Sequence, residues 1–284
     1  MASQGRGFLG MRQEDRVQPI SAHLLATLLS LAALAGRPAA AETDEELAKK
    51  LANPVASLIS VPWQSNFDFG FEHNEGFRYT GNFQPVIPFS VSEHWNVISR
   101  TILPVIYQED LVRGGGSQAG LGDTTQSFFL SPKEPGPGGT IWGLGPAFLL
   151  DTSTRDELGQ DQWGAGPTLV ALRQHAGWTY GILANHIWEF AKDESPRPDV
   201  DATFLQPFLN HTWRSGFGIT VNTESTYDWE GHQWTIPINL FLSQVFALGG
   251  QRFSVQAGGR HYAETAPGGP DWGLRLALVL LLPR

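Results

Sequence analysis

The chain has 284 residues and a formal charge of −9. Only 17% of its residues are charged, and it holds 32 glycines, 10 tryptophans and no cysteine. The missing cysteines exclude a disulfide scaffold, a thiol nucleophile and any cysteine-built metal or iron–sulfur centre. The acidic balance argues against a nucleic-acid partner, which calls for a basic patch.

Arg6, Arg12 and Arg16 precede an apolar run at 24–35 (LLATLLSLAALA), and Ala39, Ala40 and Ala41 follow it. A basic start, a short apolar core and small residues at its end make a secretory signal peptide. The run is too short for a membrane-spanning helix, which takes about 20 apolar residues. Residues 1–41 are therefore predicted to be a signal peptide cut between Ala41 and Glu42, with translation starting at Met1 or Met11. Residues 42–62 are predicted to form a periplasmic N-terminal segment. It carries a short amphipathic helix over 45–53 (EELAKKLAN), stopped by Pro54.

From Trp63 onward the pattern changes to period two. Phe67, Phe69 and Phe71 alternate with Asn66, Asp68 and Gly70. Trp234, Ile236, Ile238, Leu240 and Leu242 alternate with Thr235, Pro237, Asn239, Phe241 and Ser243. The last run, Trp272 to Leu282, is apolar at every even position and carries Arg275 on its odd face. An apolar face opposite a mixed one marks a strand between two environments.

About twelve such segments are predicted, at 64–72, 79–91, 95–107, 123–131, 140–150, 163–173, 178–191, 200–211, 216–228, 233–246, 252–262 and 272–282. Each is close to the roughly 9–11 residues that cross a bilayer as a tilted strand. Connections alternate between short (92–94, 174–177, 212–215, 247–251) and long (108–122, 151–162, 192–199, 263–271), with the Pro/Gly-rich 132–139 an exception. The predicted fold is all-β: a closed antiparallel transmembrane β-barrel of about 12 strands over 63–284, with both termini on the periplasmic side. The competing soluble sandwich would leave the long apolar face of 274–282 needing a second sheet.

Trp95, Trp142, Trp178 and Trp213 adjoin connections on one side, and Trp163, Trp234 and Trp272 those on the other. They are candidate interface aromatics, the girdles that flank a lipid-facing band. Alternation turns Asn66, Asp68, Asn82, Gln84, Asn222, Glu224, Asn239, Arg260 and Arg275 inward. Arg100 joins them because Trp95, Val97 and Leu103 occupy the opposite face. A charge facing lipid at the midplane costs roughly 2–4 kcal/mol, so these candidate pore-lining residues need a wet lumen or partners across it. An open channel and an ion-paired plug are both consistent with this face.

Several segments taken together resemble a known family. They are 47–63 (LAKKLANPVASLISVPW), 84–90 (QPVIPFS), 95–105 (WNVISRTILPV), 120–125 (GLGDTT), 203–210 (TFLQPFLN) and 268–275 (GGPDWGLR). They are similar to the bacterial outer-membrane transporter family named for the meta pathway of phenol degradation, whose members are often mislabelled "neuromedin U". The resemblance implies a Gram-negative outer-membrane barrel, with outer-membrane lipids, a small-molecule solute and, during biogenesis, the barrel-assembly machinery as partners. It carries no catalytic motif. Many such barrels end in an aromatic residue, whereas this sequence ends Leu282, Pro283, Arg284.

Other chemistry is sparse. Gly143, Leu144 and Gly145 sit inside a predicted strand rather than at a phosphate-binding turn. Gly114 to Ser117 lacks the downstream glycine of a nucleophile elbow. The eight histidines form no HExxH or His-x-His pattern, so neither a metal nor a cofactor is expected. Nothing places a serine and a histidine in one register, and the protein is not expected to be an enzyme. The predicted function is a channel or transporter for small molecules, aromatic or other hydrophobic compounds. One alternative is a structural or adhesion barrel whose extracellular loops bind a partner. A barrel hydrolase is the other, and it requires an inward Ser–His–acid cluster.

Overall fold

The computed structural model describes residues 42–71, 76–111, 116–192 and 197–282. The predicted signal peptide and both candidate start sites lie outside these residues. The first element of the described residues is a helix, α1 (Asp44–Leu51). Thr43 caps it: its hydroxyl accepts from the Glu46 N–H at 3.2 Å, while the Glu46 carboxylate accepts from the Thr43 N–H at 2.8 Å. Acidic residues fill its first turn, and Lys49 and Lys50 its last, complementing the helix dipole. The helix ends before the 53 expected from sequence, because Pro54 disfavours helical backbone at the residue preceding it.

Most of the other described residues are in strands, with short 3-10 turns at Pro137–Gly139 and Asp156–Leu158. The segments are β1 (Ile59–Phe69), β2 (Phe77–Phe83), β3 (Val86–Ser90), β4 (Trp95–Glu109), β5 (Ser117–Leu121), β6 (Thr124–Pro132), β7 (Thr140–Leu150) and β8 (Gln162–His175). They continue with β9 (Trp178–Lys192), β10 (Asp201–Thr212), β11 (Phe217–Thr223), β12 (Ser225–Asp228), β13 (Gln233–Leu248), β14 (Gln251–Glu264) and β15 (Trp272–Leu282). All pairing is antiparallel and, closure of the wall apart, joins wall positions adjacent in sequence. β2 with β3, β5 with β6, and β11 with β12 are interrupted halves of single wall positions, which leaves twelve positions in the wall. β15 pairs with β1 from Ile59 opposite Leu282 to Phe69 opposite Trp272, closing the barrel. Closure removes the free edges that an open sheet would expose. It also excludes the sandwich.

The interruptions have local causes. Between β2 and β3, Pro85 has no N–H to give the ladder, and the Gln84 N–H reaches the Pro62 carbonyl at 3.0 Å instead. Between β5 and β6 the side-chain phase switches. Gln118 is buried inward at an even position, whereas Ser127, Phe129 and Ser131 are buried inward at odd ones. This extra residue breaks the alternation near Gly122. Sequence reading therefore took all of 108–122 as a loop, although 117–121 is paired with β4. β1 likewise begins at Ile59, ahead of the predicted 64.

Turns at one end are tight. Ala176 and Gly177, with φ of 48° and 84°, join β8 to β9 in the left-handed backbone that matches hairpin twist. The Pro/Gly exception predicted at 132–139 folds onto the same end, with Pro132 still in β6. There the Gly136 N–H bonds the Thr140 carbonyl at 2.8 Å, and the Lys133 N–H bonds the His94 carbonyl at 2.9 Å. Longer connections occupy the other end, apart from the four-residue turn at 229–232, where Asp228 accepts from the Glu230 and Gly231 N–H groups.

The outer surface is apolar. Ile238, Leu240 and Leu242 on β13, and Leu274, Leu276 and Leu278 on β15, are each about half exposed. Aromatic contacts concentrate toward the two ends. Phe67, Phe69, Phe77, Tyr79, Tyr107 and Trp272 form a run at the long-loop end. Trp95 packs on Trp142, and Trp178, His211, Trp213 and Phe217 form a run, at the short-turn end.

α1 lies inside the short-turn end rather than trailing from it. Leu47 is fully buried and packs with Ala48, Ala56, Leu58, Val245, Val279 and Leu281. Val245 shares the inward parity of Asn239, and Val279 and Leu281 that of Arg275. Val55 joins a second cluster with Ile98, Phe129, Val170, Leu172 and Leu183. Polar ties hold the segment: Arg252 pairs with the Asp44 carboxylate, the Gln174 side-chain amide donates to the Lys49 carbonyl at 2.8 Å, and that of Asn96 donates to the Ser57 hydroxyl at 2.8 Å. The sequence carried the apolar stripe of α1 but not the surface that covers it.

Candidate functional site

Above this segment, nine of the ten predicted inward residues line one cavity of about 380 Å³. They are Asn66 and Asp68 on β1, Asn82 on β2, Gln84 at the first interruption, Arg100 on β4, Asn222 on β11, Glu224 between β11 and β12, Arg260 on β14 and Arg275 on β15. The tenth, Asn239 on β13, is fully buried; its side-chain amide donates to Asn222 Oδ1 at 2.8 Å. Strand register gathers them. Asn222 stands opposite Asn239, Asn239 opposite Arg260, and Arg275 opposite Asn66. Gly273 supplies room, since a Cβ there would come within 2.5 Å of an Asp68 carboxylate oxygen.

Glu224 is the hub. Arg275 grips it with two parallel N–H···O bonds of 2.8 and 2.7 Å, the strong bidentate form, and its Nε donates to Asn66 Oδ1 at 2.7 Å. Arg260 donates to the same carboxylate at 2.9 Å, to the Tyr262 hydroxyl at 3.0 Å and to Asn239 Oδ1 at 3.0 Å. Tyr262 in turn donates to Asp68 at 3.0 Å, and the Arg260 guanidinium lies 3.6 Å from that carboxylate. The Arg275 guanidinium also stacks over Phe241, 4.6 Å from the ring centre. Two acids are thus matched by two arginines in a fixed, mostly buried network.

Arg100 stands apart. Among the described residues its side chain makes no hydrogen bond or ion pair; the carboxylate whose charge reaches it is Glu224, already gripped by two arginines. It also borders three interior cavities: the central one, a second of about 260 Å³ against α1, and a third of about 620 Å³ toward the long loops.

Sequence reading missed Arg78, which donates twice to Gln108, at 3.1 and 2.8 Å; Gln108 passes the contact on to Gln118 at 3.1 Å. Arg78 shares the parity of Asn82, but the predicted strand began one residue later. Tyr262 shares the parity of Arg260 and was equally within reach. Phe204 and Phe241 also line the cavity, hidden by the rule that apolar residues face lipid.

Of the aromatic positions, Trp163, Trp178, Trp213 and Trp272 are well exposed on the outer surface. Trp95, Trp142 and Trp234 are half-buried. The first two pack edge-on at 5.8 Å, and Trp234 rests on Tyr227 at 4.9 Å. A histidine–acid pair does occur: His186 Nε2 is 3.0 Å from Asp201 and its Nδ1 is 2.7 Å from the Thr203 hydroxyl. By strand parity it faces outward, the opposite of what a lumenal hydrolase requires.

No protein-family model matches this sequence, and no curated protein sequence matches it. Among solved structures, the chain is similar to an outer-membrane channel from Pseudomonas putida F1. The identity is 13% and the TM-score 0.63, over 79% of this chain and 94% of that one. The likeness is one of fold: a closed antiparallel barrel of the outer-membrane kind. Looser matches are the β domain of a Bordetella autotransporter (12% identity, TM-score 0.43, 78% and 98% covered) and outer-membrane phospholipase A from Escherichia coli (10%, 0.43, 86% and 99%).

Proposed function

We propose that this protein is an outer-membrane channel through which small solutes cross. The observation that carries this reading is the chain of three cavities along the interior, meeting at Arg100, inside a wall whose outer face is apolar. In this reading residues 1–41 direct export, the assembly machinery inserts the barrel, and Trp95, Trp142, Trp163, Trp178, Trp213, Trp234 and Trp272 sit at the two lipid interfaces. The short turns and α1 face the periplasm, and the long loops face outward. The inward polar residues line the path, while Ile102, Phe204 and Phe241 give it apolar ground for aromatic or other hydrophobic solutes. Residues 42–58 narrow the periplasmic end. The resemblance of several segments to the phenol-degradation transporter family and the likeness in fold to a channel both support the assignment. The protein acts here as a conduit, without a catalytic step.

The test is planar-bilayer recording with the purified barrel, beside uptake of an aromatic compound by cells that express it. Stepwise current or accelerated uptake is the expected result. A correctly folded barrel that gives neither overturns the channel reading.

A further inference from the structure

We propose that Arg100 is a binding site for small organic carboxylates at the waist of the lumen; this rests on the channel reading and adds a solute class to it. Three observations converge. First, Arg260 and Arg275 are neutralised by Glu224 and Asp68 within hydrogen-bonded geometry, whereas Arg100 has no such partner among the described residues. Second, Arg100 borders all three cavities, so a solute moving from the long-loop cavity to the one against α1 passes its guanidinium. Third, its surroundings are two-sided. Ile102 and Phe204 share its border with the long-loop cavity, whose lining also includes Asp199, Asp201 and Asp228, so that Arg100 is the cation of an otherwise acidic, neutral polar and apolar chamber; Gln84 and Gln206 share its border with the cavity against α1.

A guanidinium held away from bulk water without a counter-ion is costly, and a carboxylate offers it two parallel acceptors. The apolar body of the solute then lies against Ile102 and Phe204 while the side-chain amides bond what remains of its polar edge. Cavities of roughly 300–1,000 Å³ suit single small molecules. Arg78 does not duplicate this site, since it already donates twice to Gln108 and stands opposite Asp68 in the ladder.

The experiment uses the purified mature barrel, wild type, Arg100→Gln and Arg100→Lys, each shown to be folded by its shift on gels between boiled and unboiled samples. Benzoate and the neutral benzyl alcohol are compared by calorimetric binding in detergent and by vesicle flux. Wild type is expected to prefer benzoate by roughly tenfold, the scale of one charge-assisted hydrogen bond. Arg100→Gln should lose that preference and Arg100→Lys keep part of it. Equal treatment of both probes by wild type, or an unchanged preference in Arg100→Gln, overturns the carboxylate site and leaves the channel standing. Displacement of benzoate by equimolar chloride overturns the organic part of the assignment. Arg100-dependent benzoate binding without any flux supports the site and sinks the channel.

Discussion

Glu224 shows how one side chain organises the interior. It occupies the gap between β11 and β12 and carries three charge-assisted bonds from Arg260 and Arg275. Removing it leaves two guanidinium groups facing each other, with Arg275 almost wholly buried. Glu224→Gln should therefore cost about 3–5 kcal/mol, the penalty for breaking one side of a buried pair. It should appear as a markedly lower temperature for the shift between folded and unfolded bands on gels; an unchanged temperature would mean that water already carries these charges. Neutralising Arg260 and Arg275 together acts on conduction as well. It removes two cations and releases Glu224, so the reversal potential in a salt gradient should move toward cations, as expected of fixed charge in a narrow path.

At the scale of elements, the N-terminal segment fills one end of the interior without belonging to the wall. Leu47 is fully buried against Val245, Val279 and Leu281, and its truncation to alanine should cost about 2–5 kcal/mol of docking. Segment 42–58 should then become cleavable in limited proteolysis, and single-channel conductance should rise. Conductance unchanged with the segment released would mean that it does not obstruct the path. The capping box adds a pH dependence. The Glu46 carboxyl is held below its ordinary range, first by the Thr43 backbone N–H and next by the Thr43 hydroxyl. A lowered pKa stabilises α1 at pH above the unfolded Glu value, and that contribution fades as pH falls through the folded one. Protease protection of 42–58 should thus decline on acidification, and Glu46→Gln should flatten the decline.

For the whole molecule, the decisive property is sidedness. A tag inserted within 151–161 should be labelled on intact cells and one at Ser92 to His94 should not; the reverse would turn the barrel over in the membrane. The outer face was legible in advance because side chains alternate along every strand. Positions 274, 276 and 278 could face lipid only if 273, 275 and 277 faced inward. Where one residue shifts the phase, as near Gly122, the same logic lost β5 to a predicted loop. Aromatic residues on the inner face were lost for another reason: Phe204 and Phe241 obey the alternation, but composition alone assigns them to lipid.

Strand number and the identity of most inward polar residues follow from local patterns, since a strand shows its two faces every second residue; the proposed export rests on a local pattern too, the basic, apolar and small-residue order of 1–41. Other properties depend on partners distant in sequence. Asn66 and Arg275 meet across 209 residues, and Asp44 reaches Arg252 across 208. Alternation turns five charged residues inward without distinction. Only the register of the closed wall decides that four of them neutralise one another and Arg100 does not, because ion pairing depends on separations of a few ångströms that no spacing along one strand determines.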